Sequence, residues 1–175
     1  MNLIFGFVPF ILFAILSRLS ADLALWIAFA AAFVVTIRDF VERPQLRLLD
    51  GVSFFLFGLL ALWRGFWDPG LSLDALRILV DVALTAAILF SLVIRRPFSL
   101  QYAGRAGWNE ADFLRVNYVI SLVWLIAFTA MAAADALDGL VTLPLDAGIG
   151  ISMLALAVAI AIGAPRVIEA GTDAI

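Results

Sequence analysis

The sequence predicts an all-α protein, a polytopic membrane bundle of six transmembrane helices with short loops, or five if the first apolar run stops short. Three observations lead there. Of 175 residues, 65% are hydrophobic and 14% are charged, against about 45–50% and about 25% in a soluble domain. The apolar residues form continuous runs and do not alternate, which selects helices over barrel strands. The breaks between runs carry Pro, Gly, Asp and Arg, the residues that turn a chain and anchor it at an interface. Six spans of about 20 residues each leave too little chain for a soluble domain. One transmembrane domain is therefore expected over residues 1–175.

The apolar runs cover 3–19, 22–37, 48–64, 75–94, 116–134 and 146–164. The first is the weakest, because only Leu3 to Leu16 precede Ser17 and Arg18. It lacks the basic start and small-residue cleavage site of a signal peptide and is expected to be mature structure. Turns are expected at Arg43-Pro44, Asp68-Pro69-Gly70, Arg96-Pro97 and Leu143-Pro144. Ser72 or Asp74 is suited to cap the fourth helix, Asn109 a short interfacial helix, and Asp146 the sixth span. Asp135 to Gly139 is similar to the opening of an alcohol-phosphatidyltransferase signature, but the Ala-Arg and the Asp pair that should follow are absent. That stretch reads as an outer turn.

Composition closes several functional classes. Cys and His are both absent, which removes disulfides, thiolate nucleophiles, Cys/His metal sites and imidazole bases. No catalytic, metal-ligating or cofactor-binding constellation is found, so no enzyme and no cofactor are expected. A net charge of −3 without a basic block argues against nucleic acid as a partner. All eleven basic residues are Arg. With six spans, eight lie at one face (Arg38, Arg43, Arg47, Arg95, Arg96, Arg105, Arg115, Arg166) and three at the other (Arg18, Arg64, Arg77). The positive-inside rule puts the first set, and both termini, in the cytoplasm. Each hairpin has an Asp in its outer turn (Asp22, Asp68, Asp138) and returns to an Arg beside a Pro. A hairpin repeat and the ordinary demands of topology both give this pattern.

Two groups of polar residues stand out. Asp81 lies inside the fourth run with Arg77 one turn earlier. An acid in hydrocarbon costs about 3 kcal/mol and calls for a partner or a cavity. The two readings are an i,i+4 pair with Arg77 near the interface and a polar relay for an ion. Asn117, just inside the fifth run, needs a bond to a neighbour, and Ser121 is a candidate. The second group is Arg95, Arg96, Phe98, Tyr102 and Trp108, on the segment between the fourth and fifth runs. Arg pairs and aromatics at this level suit anionic lipid, and they equally suit docking of a protein partner.

The order of these features resembles the intracellular septation protein A family of small bacterial inner-membrane proteins. The similarity lies in Phe7-Val8-Pro9-Phe10-Ile11-Leu12-Phe13, in Arg95-Arg96-Pro97-Phe98, and in Trp108 with Phe113 to Asn117, followed by Trp124. It spans roughly residues 4–165. The resemblance implies a multi-pass protein of the bacterial inner membrane that supports septation or envelope maintenance through membrane partners. It carries over no catalytic residue. The alternative is a small transporter or channel for an ion or solute, assembled as a homo-oligomer, with Asp81 and Arg77 in its pathway. The topology has a direct test. A reporter enzyme active only outside the cytoplasm, fused after Arg105, is expected to stay silent, and activity there would reverse the map.

Overall fold

The computed structural model describes residues 3–42, 45–103 and 109–138. Every regular element among them is helical: α1 (Leu3–Leu16), α2 (Ala21–Glu42), α3 (Leu48–Leu62), α4 (Leu73–Val93) and α5 (Glu110–Asp138). A single π-helical turn, Trp63–Trp67, prolongs α3, and a short 3-10 helix, Phe98–Gln101, follows α4. Four of these segments are long and apolar enough to cross a membrane: Ala21–Glu42, Leu48–Trp67, Leu73–Val93 and Glu110–Leu137.

The expected six spans are thus reduced to four among the described residues. With 14 residues, α1 is about 21 Å long, short of a hydrocarbon core of about 30 Å. The sixth expected run, 146–164, lies outside the described residues, as does its cap Asp146. A second correction concerns the fifth helix. The expected surface helix and fifth span are one continuous element of 29 residues, and Asp135 to Asp138 complete it without a turn. No Pro or Gly interrupts Glu110–Asp138, so nothing stops the helix at the interface.

Local chemistry sets the helix ends. The Ser20 hydroxyl accepts the Leu23 amide at 3.4 Å and starts α2. Ser72 caps α4 by accepting the Ala75 amide at 3.2 Å. Asn109 accepts the Asp112 amide at 2.8 Å ahead of α5, whose first turn carries Glu110 and Asp112 where the helix dipole favours acids. In the turn before α4, Asp68 accepts the Gly70 amide at 3.1 Å.

The chain forms two compact units, divided inside α4 between Ala83 and Leu84. In the first, α1 packs on α2, α2 packs on α3, and α1 also touches α3. The stripe Ala24, Ala28 and Ala32, spaced four apart on α2, has no exposed surface and allows close backbone approach. Aromatic rings fill the remaining space. Phe57 of α3 is fully buried, with Phe10 and Phe13 of α1 at centroid distances of 5.2 and 5.5 Å. The Phe54 ring makes tilted contacts with Phe29 at 5.5 Å and Phe33 at 6.1 Å on α2. A Cβ on Gly58 would meet the Phe29 ring at 3.0 Å, so α2 and α3 pass as closely as a glycine permits. At one end of this unit Arg64 in the π turn donates to Asp22 at 2.6 Å and also to the Leu71 carbonyl.

In the second unit the 3-10 helix packs on α5. Phe98, Ile88 and Leu84 are buried there, together with Val116, Ile120, Trp124 and Phe128 of α5. Outward-facing apolar residues such as Trp26, Phe33, Phe55, Leu59, Leu89, Leu122 and Ile126 give the long helices surfaces matched to lipid.

Because lipid is as apolar as the helices, Phe57 contributes through packing more than through removal from water. Phe57→Ala is expected to destabilise the protein by about 2–3 kcal/mol, below the 3–5 kcal/mol typical of soluble cores, measured by reversible unfolding in detergent.

Candidate functional site

The densest buried charge in the described residues sits where α2 turns into α3. Asp39 lies in the last turns of α2 and is 4% exposed, Arg47 immediately precedes α3 at 9%, and Asp50 in its first turn is 1% exposed. Arg47 has extended backbone (φ −78°, ψ 153°), and its carbonyl accepts the Gly51 amide at 3.0 Å. Its side chain folds back onto α2, with Nη1 donating to Asp39 Oδ2 at 2.6 Å. The Asp50 carbonyl is held from both helices, by the Thr36 hydroxyl of α2 at 3.2 Å and the Ser53 hydroxyl of α3 at 3.0 Å. Asp39 Oδ1 and both carboxylate oxygens of Asp50 are buried without a hydrogen-bond partner. The cluster thus holds two acids against one base. The α3 N-terminus favours the Asp50 charge by about 0.3–1 kcal/mol, well below the several kcal/mol that desolvating an ion costs.

Sequence reasoning missed this cluster. It counted Arg47 as a topology marker and gave Asp39 and Asp50 no role. A signal was present: acids at the adjoining ends of two apolar runs, eight residues before Arg47 and three after it, on either side of Arg43-Pro44 in the sequence.

The residues that sequence reasoning did single out fall in several places. Asp81 is 6% exposed within α4, and Arg77, one turn earlier, is half-buried. Both are engaged by neighbouring groups. Asn117 is buried, but its Nδ2 donates to the Phe113 carbonyl of its own helix at 2.8 Å. Ser121 pairs instead with Ser99, Oγ to Oγ at 3.1 Å, and the Ser99 hydroxyl also reaches the Asn117 carbonyl at 2.9 Å. This Ser99–Asn117–Ser121 junction fastens the 3-10 helix to α5. Trp108 lies outside the described residues.

Arg95 and Arg96 are exposed and Tyr102 is half-buried, whereas Phe98 has no exposed surface. Phe98 is therefore an anchor of the turn and not part of its outer face. The turn is tightly specified. Arg96 donates its amide to the Ser91 carbonyl at 2.9 Å and Arg95 to the Leu92 carbonyl at 3.0 Å, the paired bonds of a Schellman helix end. Arg95 takes φ 57°, where glycine is the usual occupant. Ser91 Oγ accepts the Phe98 amide at 3.2 Å and closes the loop from below.

Among the described residues, no group of three or more acidic, His or Cys side chains is placed to hold a metal ion. The described residues define a class, an all-helical architecture in which four helices are fitted by length and composition to a bilayer. Comparison of the chain with family models, curated proteins and solved structures returns no match.

Removing one partner of a buried pair leaves the other charge stranded. Arg47→Ala is expected to cost about 3–5 kcal/mol in unfolding free energy. The exposed pair Arg38–Glu42, at 3.0 Å on the outside of α2, provides the contrast, and Arg38→Ala should cost no more than about 0.5 kcal/mol. Equal costs for the two variants would show that the Arg47 cluster is solvated.

Proposed function

We propose that this chain is a multi-pass protein of the bacterial inner membrane that works by holding other membrane proteins, with the Arg95–Arg96 turn as its cytoplasmic docking point. The observation that carries the reading is the backbone of Arg95. A left-handed conformation costs a non-glycine residue roughly 1–2 kcal/mol, yet an Arg stands there, exposed. Residues kept in such conformations cluster at working sites. The surrounding turn is fixed by Ser91, Leu92 and buried Phe98, so two guanidinium groups project from a rigid base. Two such forks suit bidentate recognition of carboxylates on an acidic protein segment. The cellular role, septation or envelope maintenance, is the one that the resemblance of the Arg95–Phe98 and Phe113–Asn117 segments implies.

The test uses the strain itself. Arg95→Gly combined with Arg96→Gln removes both charges while relieving the left-handed backbone. The variant is expected to be at least as stable as the parent, yet to lose most cross-linking in the native membrane to division or cell-wall proteins. Unchanged capture would overturn the proposal. Loss of binding to anionic-lipid vesicles alone, with protein capture intact, would assign the turn to lipid instead.

A further inference from the structure

The α2–α3 junction has a charge imbalance that the docking turn does not involve. Among the described residues its charged groups are Arg38, Asp39 and Glu42 on α2, with Arg47 and Asp50 at the start of α3; α1 carries no charged residue. Arg38 and Glu42 pair with each other at 3.0 Å on the exposed side. That leaves Asp39, Arg47 and Asp50 as the buried charged groups described at this junction, two acids and one base. Arg47 Nη1 serves Asp39 Oδ2. Asp50 is tied to the same face of α2, because its backbone carbonyl accepts from Thr36, three residues before Asp39. With both acids ionised neither can donate to the other, and the three remaining carboxylate oxygens stand buried without a donor.

We propose that Asp39 and Asp50 together bind a single proton, shared as an O–H···O bond between their carboxyl groups, with Arg47 as the fixed counter-charge. The proton comes from water, adds to one carboxylate oxygen and makes that carboxyl the donor its neighbour lacks. Two acids, one proton and one guanidinium sum to zero, which is the state a low-dielectric interior favours. A metal cation fits less well. Calcium takes about six to eight oxygen ligands, whereas three carboxylate oxygens are free here, and the Thr36 and Ser53 hydroxyls are committed to the Asp50 carbonyl. Loss of the proton would set two carboxylates against each other across the junction and loosen the hold of α3 on α2. The site is thus a proton-binding centre built into a helical hairpin.

The experiment is infrared spectroscopy of the full-length protein in lipid nanodiscs at neutral pH, in H₂O and in D₂O. The parent is expected to show a protonated-carboxyl carbonyl band that shifts in D₂O. Asp50→Asn and Asp39→Asn should each abolish it, because either change leaves one acid matched to Arg47. Asp81→Asn, which alters the buried acid of α4, should leave the band in place. No such band in the parent, or a band that survives both junction variants, overturns the proposal. So does a band lost only with Asp81→Asn. Thermal unfolding in sodium against potassium completes the set. Sodium-specific stabilisation that disappears in Asp50→Asn, with no carboxyl band, would replace the proton by a metal cation. If one junction variant fails to fold, the parent spectrum and the other variant still decide.

Discussion

In hydrocarbon, helices cannot be driven together by escape from water, so close steric fit has to do that work. The first unit depends on this constraint. The Ala24–Ala28–Ala32 stripe brings the backbone of α2 close to its neighbours, and Gly58 lets the Phe29 ring lie against α3. Once the backbones are that close, the rings of Phe10, Phe13 and Phe57 interlock. The short α1 belongs to the bundle through those rings, even though it is too short to span a bilayer by itself.

The same closeness makes the polar junction possible. Thr36 of α2 reaches the Asp50 carbonyl of α3, and Arg47 reaches back to Asp39. Both contacts need the two helices to converge at that end. Packing in the middle of the hairpin and charge at its end are therefore one arrangement. The second unit uses milder chemistry, with the hydroxyls of Ser91, Ser99 and Ser121 stitching the 3-10 helix between α4 and α5.

Much of the helical layout was legible because continuous apolarity and turn residues are local signals. The α3 run was anticipated from residue 48 and α4 to within two residues of its start. Misreadings arose where a local signal was overruled or ambiguous. The acids and Asn109 before the fifth run suggested a separate surface helix, but no breaker follows them, and α5 runs straight through. Site residues were harder. Asp81 and Asn117 stood out because they interrupt apolar runs, whereas Asp39, Arg47 and Asp50 sit at run ends, where charges are ordinary. Their burial depends on how α2 and α3 converge, which is a tertiary fact. The backbone state of Arg95 was equally hidden, since a left-handed helix end is normally announced by Gly or Asn.

The Arg64 contact bears on how such a chain is assembled. Asp22 opens α2, and its partner Arg64 is made 42 residues later, after a whole helical hairpin has left the ribosome. At the Asp22–Arg64 contact the Asp22 carboxylate is largely in the open, with 63% of its side chain accessible. During that interval it can stay hydrated at the membrane surface. Arg64 then closes onto Asp22 and the Leu71 carbonyl together, joining the start of α2, the end of α3 and the approach to α4. Arg64 thus ties a helix made before it to the segment made directly after it, so the α2–α3 hairpin is fastened only once the approach to α4 has also emerged.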